Sequence, residues 1–135
     1  MKRTAIKAAK EAAKIILHYY SENVNAISKT NTCDLVTKAD IESENKIISI
    51  IKNKFPNHSI LTEESGEEIH KSDYCWVIDP LDGTNNFYHK FPMFCVSIAL
   101  YKKGKPLIGV VFDPLKKEFF YAEKNFLKQI KSIVN

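Results

Sequence analysis

Four acidic residues stand close behind two short apolar runs of the chain. Glu63 and Glu64 follow the first run, and Asp79 and Asp82 follow the second. Crowded carboxylates repel one another unless a cation neutralises them. Hard oxygen-binding cations such as Mg²⁺ suit grouped carboxylates, and Mg²⁺ commonly shares its ligand shell with a substrate phosphate. The residues therefore point to a magnesium site beside a phosphate.

The hexapeptide DPLDGT at residues 79–84 has a spacing that suits such a site. Pro80 stiffens the turn, so that the two aspartates can point to one side with the Leu81 carbonyl free between them. Gly83 lets the backbone approach an anion closely, and Thr84 can cap a short helix whose free amides face a phosphate. A cation site and an anion site would then be neighbours.

The same residues also have an ordinary structural interpretation. Asp-Pro and Asp-Gly are common turn dipeptides, and the acids of residues 63–68 are typical of a solvated loop. On residue chemistry alone, both interpretations stay open.

Longer motifs give a resemblance to a known family. DPLDGTNNF follows a predicted strand, with TEES and LVTKAD upstream and Phe91-Pro92 downstream. From Lys29 to about Ala122 the chain resembles the inositol monophosphatase family, over roughly the first half of a typical member. The resemblance implies a magnesium-dependent, lithium-sensitive phosphomonoesterase with a sugar-phosphatase-like fold.

The family pattern, transferred residue by residue, implies a set of metal ligands. They are Glu63, Asp79, the Leu81 carbonyl and Asp82, and the implied cofactor is Mg²⁺. Metal-bound water would attack the phosphate directly, without a covalent intermediate.

The resemblance also implies the residues that surround the phosphate. Gly83 and Thr84 would hold it, while Glu63 and Thr84 would orient the attacking water. Asp40 matches the acid of the family's threonine-and-aspartate motif, with Thr37 as the threonine. A helix cap explains Asp40 equally well.

Two amphipathic helices are predicted ahead of these motifs. Apolar residues at spacings of three and four predict the first helix from Thr4 to about Tyr20. The polar stretch from Ser21 to Cys33 is predicted to be largely loop. Asp40 is a predicted N-cap of the second helix, which Pro56 ends.

Short apolar runs separated by Gly, Pro, Asn and Asp then predict strands. Residues 102–106 and 113–117 are predicted turns between consecutive strands. The sequence therefore predicts an α+β fold in which layered helices pack on one face of an antiparallel sheet. The predicted strands are Ser59 to Leu61, Cys75 to Ile78, Cys95 to Leu100, Leu107 to Phe112 and Phe119 to Ala122.

The composition is that of a globular chain. Of 135 residues, 44% are hydrophobic and 11% aromatic, which predicts a single domain over residues 1–135. The net charge of +4 comes with only one arginine, Arg3, so the bidentate fork that reads bases or clamps phosphates is nearly absent. A nucleic-acid partner is therefore not expected.

The cysteines and the N-terminus bear on location. Cys33, Cys75 and Cys95 are scattered, which suits neither a disulfide framework nor a zinc site. Charged residues interrupt the first helix, and no run reaches the ~18 apolar residues of a membrane span. We expect a cytoplasmic protein with no membrane partner.

The histidines do not suggest a second metal site. They lack the i, i+4 pairing of a zinc-binding helix, and water activated by Mg²⁺ needs no additional base. All four are interpreted as surface residues: His18, His58, His70 and His89.

The chain departs from the family pattern at its C-terminal end. Residues 122–135 diverge from it, and Asn125 to Asn135 is predicted to be a lysine-rich helix. The motif of the family's second half, with its further metal-ligating aspartate, is absent. We expect a truncated or frame-shifted product with weak or no turnover and residual Mg²⁺ binding.

Three functions therefore follow from the sequence. The first is hydrolysis of inositol monophosphate or a similar sugar or polyol phosphate, by a homodimer as the family implies. The second, within the same class, is a fructose-1,6-bisphosphatase or nucleotide phosphatase, although Asn85-Asn86 disfavours the 3'-phosphonucleotide type. The third is a non-catalytic fragment with a regulatory or binding role.

Overall fold

The computed structural model describes residues 1–25, 29–124 and 126–130. Within these ranges, two long helices, α1 (Lys2–Val24) and α2 (Lys29–Lys54), precede the strands, and a short helix, α3 (Thr84–Tyr88), follows the third strand. The strands are β1 (Ser59–Thr62), β2 (Glu67–Glu68), β3 (Tyr74–Asp82), β4 (Cys95–Lys102), β5 (Lys105–Asp113), β6 (Glu118–Glu123) and β7 (Phe126–Ile130).

The strands form one sheet in the order β2-β1-β3-β4-β5-β6-β7. The predicted α+β layering is confirmed, and both predicted hairpins join antiparallel neighbours. One pair differs from the rest, since β1 runs parallel to β3. Parallel neighbours need a longer connection than a hairpin, and here residues 63–73, with the short strand β2, make that crossover.

Small side chains let the two long helices pack closely together and against the sheet. The buried stripe of α1 is rich in alanine, and α2 contributes Ile47 and Ile51. On the sheet, alternate residues of β3 to β6 face the helices, and the fully buried Trp76 is the largest of them. The opposite face of the sheet is only half-buried and exposes Val111 and Phe120. The alanine stripe consists of Ala5, Ala8, Ala9, Ala12 and Ala13.

Two predictions about the helices are wrong. The polar stretch from Ser21 to Cys33 is largely helical where it is described, because α1 continues to Val24 and α2 already begins at Lys29; residues 26–28 lie outside the described ranges. Asp40 is therefore inside α2 and is not its N-cap. Tertiary packing of the apolar stripe overrides the weak helix propensity of asparagine, serine and threonine.

The predicted C-terminal helix is also wrong over the residues that the structure describes. Residues Phe126–Ile130 form β7, antiparallel to β6, with Glu123 opposite Phe126 and Phe119 opposite Ile130. Their apolar spacing fits a helix, but the open edge of β6 offers free backbone donors and acceptors to an adjacent segment. Residues 131–135 of the predicted helix lie outside the described residues.

His58 is not the surface residue that the sequence suggested. Its side chain is half-buried and its ring stacks on Phe55 and Tyr74, with centroids 4.8 and 4.7 Å apart. The Nε1–H of Trp76 donates to Nδ1 of His58 at 3.0 Å. His58 is thus part of the aromatic core next to β3.

In the part of the chain that the structure describes, no helix is both long enough and apolar enough to cross a bilayer.

Candidate active site

Parallel pairing of β1 and β3 brings two predicted ligands to one edge of the sheet. Thr62 lies opposite Ile78 in the register. The next residues, Glu63 and Asp79, therefore extend beyond the same edge, since parallel strands end on the same side. Residues that are 16 positions apart in the sequence become neighbours in this way.

A bulge in β3 sets the direction of the two aspartates. Asp79 lies opposite Ser97 and Asp82 lies opposite Cys95, so three residue steps on β3 match two on β4. Ser97 and Cys95 are two residues apart and share a face of the sheet. The extra residue therefore puts Asp79 and Asp82 on one face, whereas regular alternation would put them on opposite faces. The half-buried face that the helices leave uncovered is the one that carries them.

The acidic turn after β1 is fixed by hydrogen bonds to residues on both sides of it. The Thr62 N–H donates to the Gly66 carbonyl at 2.8 Å, and the Ser65 N–H donates to Thr62 Oγ1 at 3.1 Å. Gly66 has φ +82°, in the left-handed region that glycine adopts without strain. The turn holds Glu63 and Glu64 at its tip, where both side chains are exposed.

Glu44 is a residue of this region that the sequence reasoning missed. Its side chain is 1% exposed, on the inner face of α2. Its carboxylate accepts hydrogen bonds from the Glu64 N–H at 3.2 Å, the Ser65 N–H at 3.1 Å and the Ser65 hydroxyl. Its position in the sequence was a usable signal, because Glu44 interrupts the apolar helical stripe that continues at Ile47 and Ile51.

Asp40 lies one helical turn before Glu44 and is buried, with 8% of its surface exposed. Burial, followed by the charges of neighbouring carboxylates, Glu64 and Asp79 foremost, raises the pKa of Asp40 to about 7. The structure thus places Asp40 near Glu63, Glu64 and Asp79. Its predicted partner in the motif, Thr37, is exposed, and the Thr37 hydroxyl donates to the Cys33 carbonyl at 3.0 Å.

Asp79 lies in the same field of negative charge. Burial, and then the charges of Glu63 and Asp82, raise the pKa of Asp79 to about 6. Its Oδ1 atom is buried and has no hydrogen-bond partner among the described residues. Asp82, by contrast, is exposed, and the Cys95 thiol is 3.8 Å from its Oδ2 atom.

The chemistry of this donor set fits a hard divalent cation. It combines several carboxylates, one orphaned buried oxygen and the Leu81 carbonyl, which accepts from Thr84 Oγ1 at 3.0 Å and keeps a second lone pair. In the described ranges, however, no three His, Cys, Asp or Glu side chains already form a metal-binding group. The carboxylates are near enough to raise the pKa values of Asp40 and Asp79, but no three of them among the described residues are placed to bind one cation.

Gly83 lies with its backbone close to the segment of Met93 and Phe94. It has φ +96° and is the N-cap residue of α3, so Thr84 is the first helical residue and the prediction of Thr84 as the cap is wrong. A Cβ atom on Gly83 would lie 2.9 Å from the Met93 carbonyl oxygen and 3.2 Å from Phe94 Cα. Only glycine fits this conformation and this space.

The C-terminal end of α1 contacts α3 and the residues that follow it. The Asn23 side-chain amide is fully buried and donates to the Phe87 carbonyl at 2.6 Å, and the Tyr20 hydroxyl donates to the Lys90 carbonyl at 2.9 Å. The rings of Tyr20, Phe87 and Phe94 pack against one another with centroids 4.8–5.4 Å apart. The loop that carries Thr84 is therefore attached to the helical layer.

A cavity of about 410 Å³ opens beside the bulge on the uncovered face of the sheet. Asp82, Gly83, Asp113 and Lys116 are among the residues that line it. Burial and the charge of Asp82 raise the pKa of the Cys95 thiol in its wall to about 11, so this thiol is neutral at physiological pH. Of the predicted metal ligands, Asp82 lines this cavity, whose volume is sufficient for a small phosphorylated molecule.

Comparison with known proteins identifies the family. Residues 1–131 match the model of the inositol monophosphatase family. The chain belongs to the inositol monophosphatase family.

Similar proteins of the family carry two kinds of name. The Nus factor SuhB of Pasteurella multocida is 46% identical over 125 residues, which are 90% of this chain and 46% of that protein. The structure of inositol monophosphatase from Anabaena (Nostoc) sp. PCC 7120 has a TM-score of 0.78 at 39% identity and covers 92% of this chain and 44% of its own. The chain thus spans about half the length of the relatives it matches.

A third relative has been solved with ligands. Inositol monophosphate-bound SaIMPase-II has a TM-score of 0.73 at 32% identity, covering 90% of this chain and 43% of its own. The same protein has been solved with 2'AMP. Small phosphorylated molecules are therefore ligands within this fold.

Proposed function

We propose that this chain supplies the metal and phosphate region of a magnesium-dependent phosphomonoesterase acting on inositol monophosphate or a similar sugar or polyol phosphate. The observation that supports it is the β3 bulge, which turns Asp79 and Asp82 to one face beside Glu63 and directly before Gly83. The turn dipeptides of DPLDGT do not by themselves require that arrangement. Carboxylates on one face, directly before Gly83, suit a site that would hold a cation next to a phosphate.

In this proposal Glu63, Asp79, the Leu81 carbonyl and Asp82 hold Mg²⁺. When bound, the cation lowers the pKa of a ligated water and neutralises charge on the phosphate and the leaving oxygen. Glu63 and Asp82 are exposed and Asp79 is half-buried, and the buried Oδ1 atom of Asp79, which has no hydrogen-bond partner among the described residues, would be available to the cation.

The remaining residues position the water and the phosphate. The Thr84 hydroxyl donates a hydrogen bond to the Leu81 carbonyl, so the lone pairs of Thr84 Oγ1 are free to accept a hydrogen bond from water. Glu63 orients the same water, and the Gly83 backbone lies against the phosphate without a side chain in the way. Asp40, buried on α2 near the proposed carboxylate ligands, would add a further negative charge beside the cation.

The substrate class rests on the relatives and on the volume of the open cavity. Inositol monophosphate and 2'AMP bind the related SaIMPase-II, so a nucleotide monophosphate is the alternative substrate within the class. Because the chain covers 46% of the Pasteurella multocida protein, the activity of the whole family fold is a proposal for this chain. The homodimer and the cytoplasmic location stay predictions.

The test is phosphate release from inositol 1-phosphate by the purified 135-residue chain, with and without Mg²⁺. Asp82→Asn should abolish the release. Asp73→Asn is the matched control, because Asp73 is an exposed aspartate just before the opposite end of β3 and pairs with Lys103 at 3.6 Å. Magnesium-dependent release by the unmodified chain and by Asp73→Asn, but not by Asp82→Asn, supports the proposal. A folded chain that releases no phosphate would contradict catalysis by this chain and would favour the non-catalytic binding role.

A second candidate, a binding role in a larger assembly, is favoured by a separate feature. A cavity of about 170 Å³ between the start of α1 and the end of α2 is lined by Arg3, Lys7 and Lys54. None of the three makes an ion pair with a side chain that the structure describes. Unpaired cations around a cavity suit an acidic partner, and the related SuhB protein is named a Nus factor.

Fluorescence anisotropy with a labelled acidic peptide tests this candidate. Replacing Arg3, Lys7 and Lys54 by alanine should weaken binding roughly 10-fold or more, and increasingly so at low salt. Phosphate release should not change, because these residues lie apart from the DPLDGT site. Equal binding by the variant would eliminate the basic cavity as a docking site.

A further inference from the structure

Glu44 has an unusual environment for a carboxylate. It is 1% exposed, yet none of the cationic side chains described by the structure lies within ion-pairing distance of it. A buried carboxylate without a cation is costly unless hydrogen bonds satisfy its oxygens. At Glu44, three donors do so: the backbone N–H groups of Glu64 and Ser65 and the Ser65 hydroxyl.

All three donors belong to the turn that carries Glu63. The two amides come from the residues directly after it, and hydrogen bonds from backbone amides to a carboxylate are about twice as strong as neutral ones. The turn is closed on its other side by Thr62 and Gly66. Glu44 therefore fixes the turn through Glu64 and Ser65, while Thr62 at the end of β1 fixes it through Gly66.

Its oxygens are already engaged, which argues against Glu44 as a metal ligand. Oε1 accepts from the Ser65 amide and hydroxyl, and Oε2 accepts from the Glu64 amide. Asp40, one turn earlier on the same helix, lies instead among other acids, and burial with the charges of Glu64 and Asp79 raises its pKa. The two acids of α2 thus have different surroundings.

We infer that Glu44 is a positioning residue, which fixes the turn of residues 62–66 so that Glu63 faces Asp79 and Asp82 as a cation ligand. This inference rests on the metal site of the proposed function. It adds a residue that touches neither metal nor substrate and acts through the backbone of Glu64 and Ser65. Outer residues that orient metal ligands affect metal affinity by roughly 10- to 100-fold.

The test measures Mn²⁺ binding to the full chain by electron paramagnetic resonance, with Mn²⁺ as a probe for an oxygen-ligand Mg²⁺ site. Glu44→Gln keeps the volume but turns an NH₂ group towards backbone donors, so the turn loses at least one anchor. We expect Mn²⁺ affinity to fall roughly 10-fold or more, and the amide proton resonances of Glu64 and Ser65 to shift upfield.

Glu42→Gln is the matched control on the same helix. Glu42 is exposed, and its carboxylate accepts from the Tyr19 hydroxyl at 2.7 Å, so its contact is with α1 and not with the turn. The substitution removes the same charge two residues away from Glu44. It should change neither the Mn²⁺ affinity nor the amide resonances of Glu64 and Ser65.

Ser65→Ala is the second variant, because it removes one hydroxyl anchor and leaves the carboxylate buried and bonded to both amides. It should weaken Mn²⁺ binding severalfold without unfolding the chain, and it decides the question if Glu44→Gln does not fold. Unchanged Mn²⁺ affinity in the folded variants, with only the melting temperature lowered, would overturn the inference and leave Glu44 a structural residue.

Asp82→Asn separates this inference from the proposed function. If Asp82→Asn weakens Mn²⁺ binding and the Glu44 and Ser65 variants do not, the metal site stands and the positioning role of Glu44 fails. If Asp82→Asn leaves Mn²⁺ binding unchanged, the metal site itself fails, and the inference fails with it.

Discussion

Replacing Gly83 by alanine is expected to destabilise the chain by about 2–5 kcal/mol. Two separate effects contribute. A residue with a Cβ atom at φ +96° costs about 1–2 kcal/mol. The new methyl group would also lie 2.9 Å from the Met93 carbonyl oxygen and 3.2 Å from Phe94 Cα, and overpacking against backbone adds about 1–3 kcal/mol.

Two other glycines separate these contributions. Gly104 has φ +71°, and nothing lies within 4 Å of the position that a methyl group would take there, so Gly104→Ala should cost only the conformational part, about 1–2 kcal/mol. Gly109 has neither a positive φ nor a near neighbour, so Gly109→Ala should change stability by less than about 0.5 kcal/mol. The difference between Gly83→Ala and Gly104→Ala measures the close approach of Met93 and Phe94.

Urea unfolding followed by the fluorescence of Trp76 is the assay, since Trp76 is the one tryptophan of the chain and is fully buried. The midpoint should fall most for Gly83→Ala with little change in the denaturant slope. Equal midpoints for Gly83→Ala and Gly104→Ala would refute the reasoning. The backbone before α3 would then have room for a side chain, and the exclusive need for glycine next to the phosphate position would be lost.

Three further predictions concern other parts of the molecule. Asp79→Asn should stabilise the metal-free chain by about 1 kcal/mol, after discounting for solvent screening, because it removes a carboxylate whose burial, and then whose repulsion by Glu63 and Asp82, raise its pKa to about 6; thermal unfolding checks this, and a less stable variant would contradict it. Asn23→Ala should cost about 1–3 kcal/mol in urea unfolding, because it removes the buried donor to the Phe87 carbonyl; an unchanged midpoint would show that this bond contributes nothing. Burial lowers the pKa of His58 in the folded chain, so near pH 6.5 the unfolded chain takes up a proton that the folded chain does not. The stability that the neutral His58 contributes above pH 6.5 should therefore be lost as the pH falls through the pKa of His58 in the folded chain. An NMR titration locates that pKa, and a value for His58 above the usual 6.5 would contradict the bond from Trp76.

The order of elements was predictable because local periodicity dictates it. The five predicted strands and the two hairpins are found with boundaries shifted by a few residues. Alternating apolar residues of a strand and spacings of three and four in a helix are properties of neighbours in the chain. Predictions failed where distant contacts compete with local preference, as for Ser21 to Val24, which the sequence assigned to a loop, and for Phe126–Ile130, which pairs with an open strand edge.

The site was predictable in its residue types but not in its geometry. DPLDGT and Glu63 carry the chemistry of the site in the sequence, and the family motif links them to a metal and a phosphate. Their proximity depends on the parallel pairing of β1 with β3, and the common direction of Asp79 and Asp82 depends on one extra residue in β3. No local pattern encodes either, because both are relations between strands.

The sequence by itself determined which groups this protein can bring to a substrate: carboxylates, a free carbonyl and a glycine, in a fixed order along the chain. Only the tertiary structure decided how they are held. It buried Asp40 among other acids, and it attached the turn of Glu63 to Glu44, 19 residues earlier on a different element. The physical reason is that a buried carboxylate must find its donors wherever the fold places them, and distance along the chain does not limit that choice.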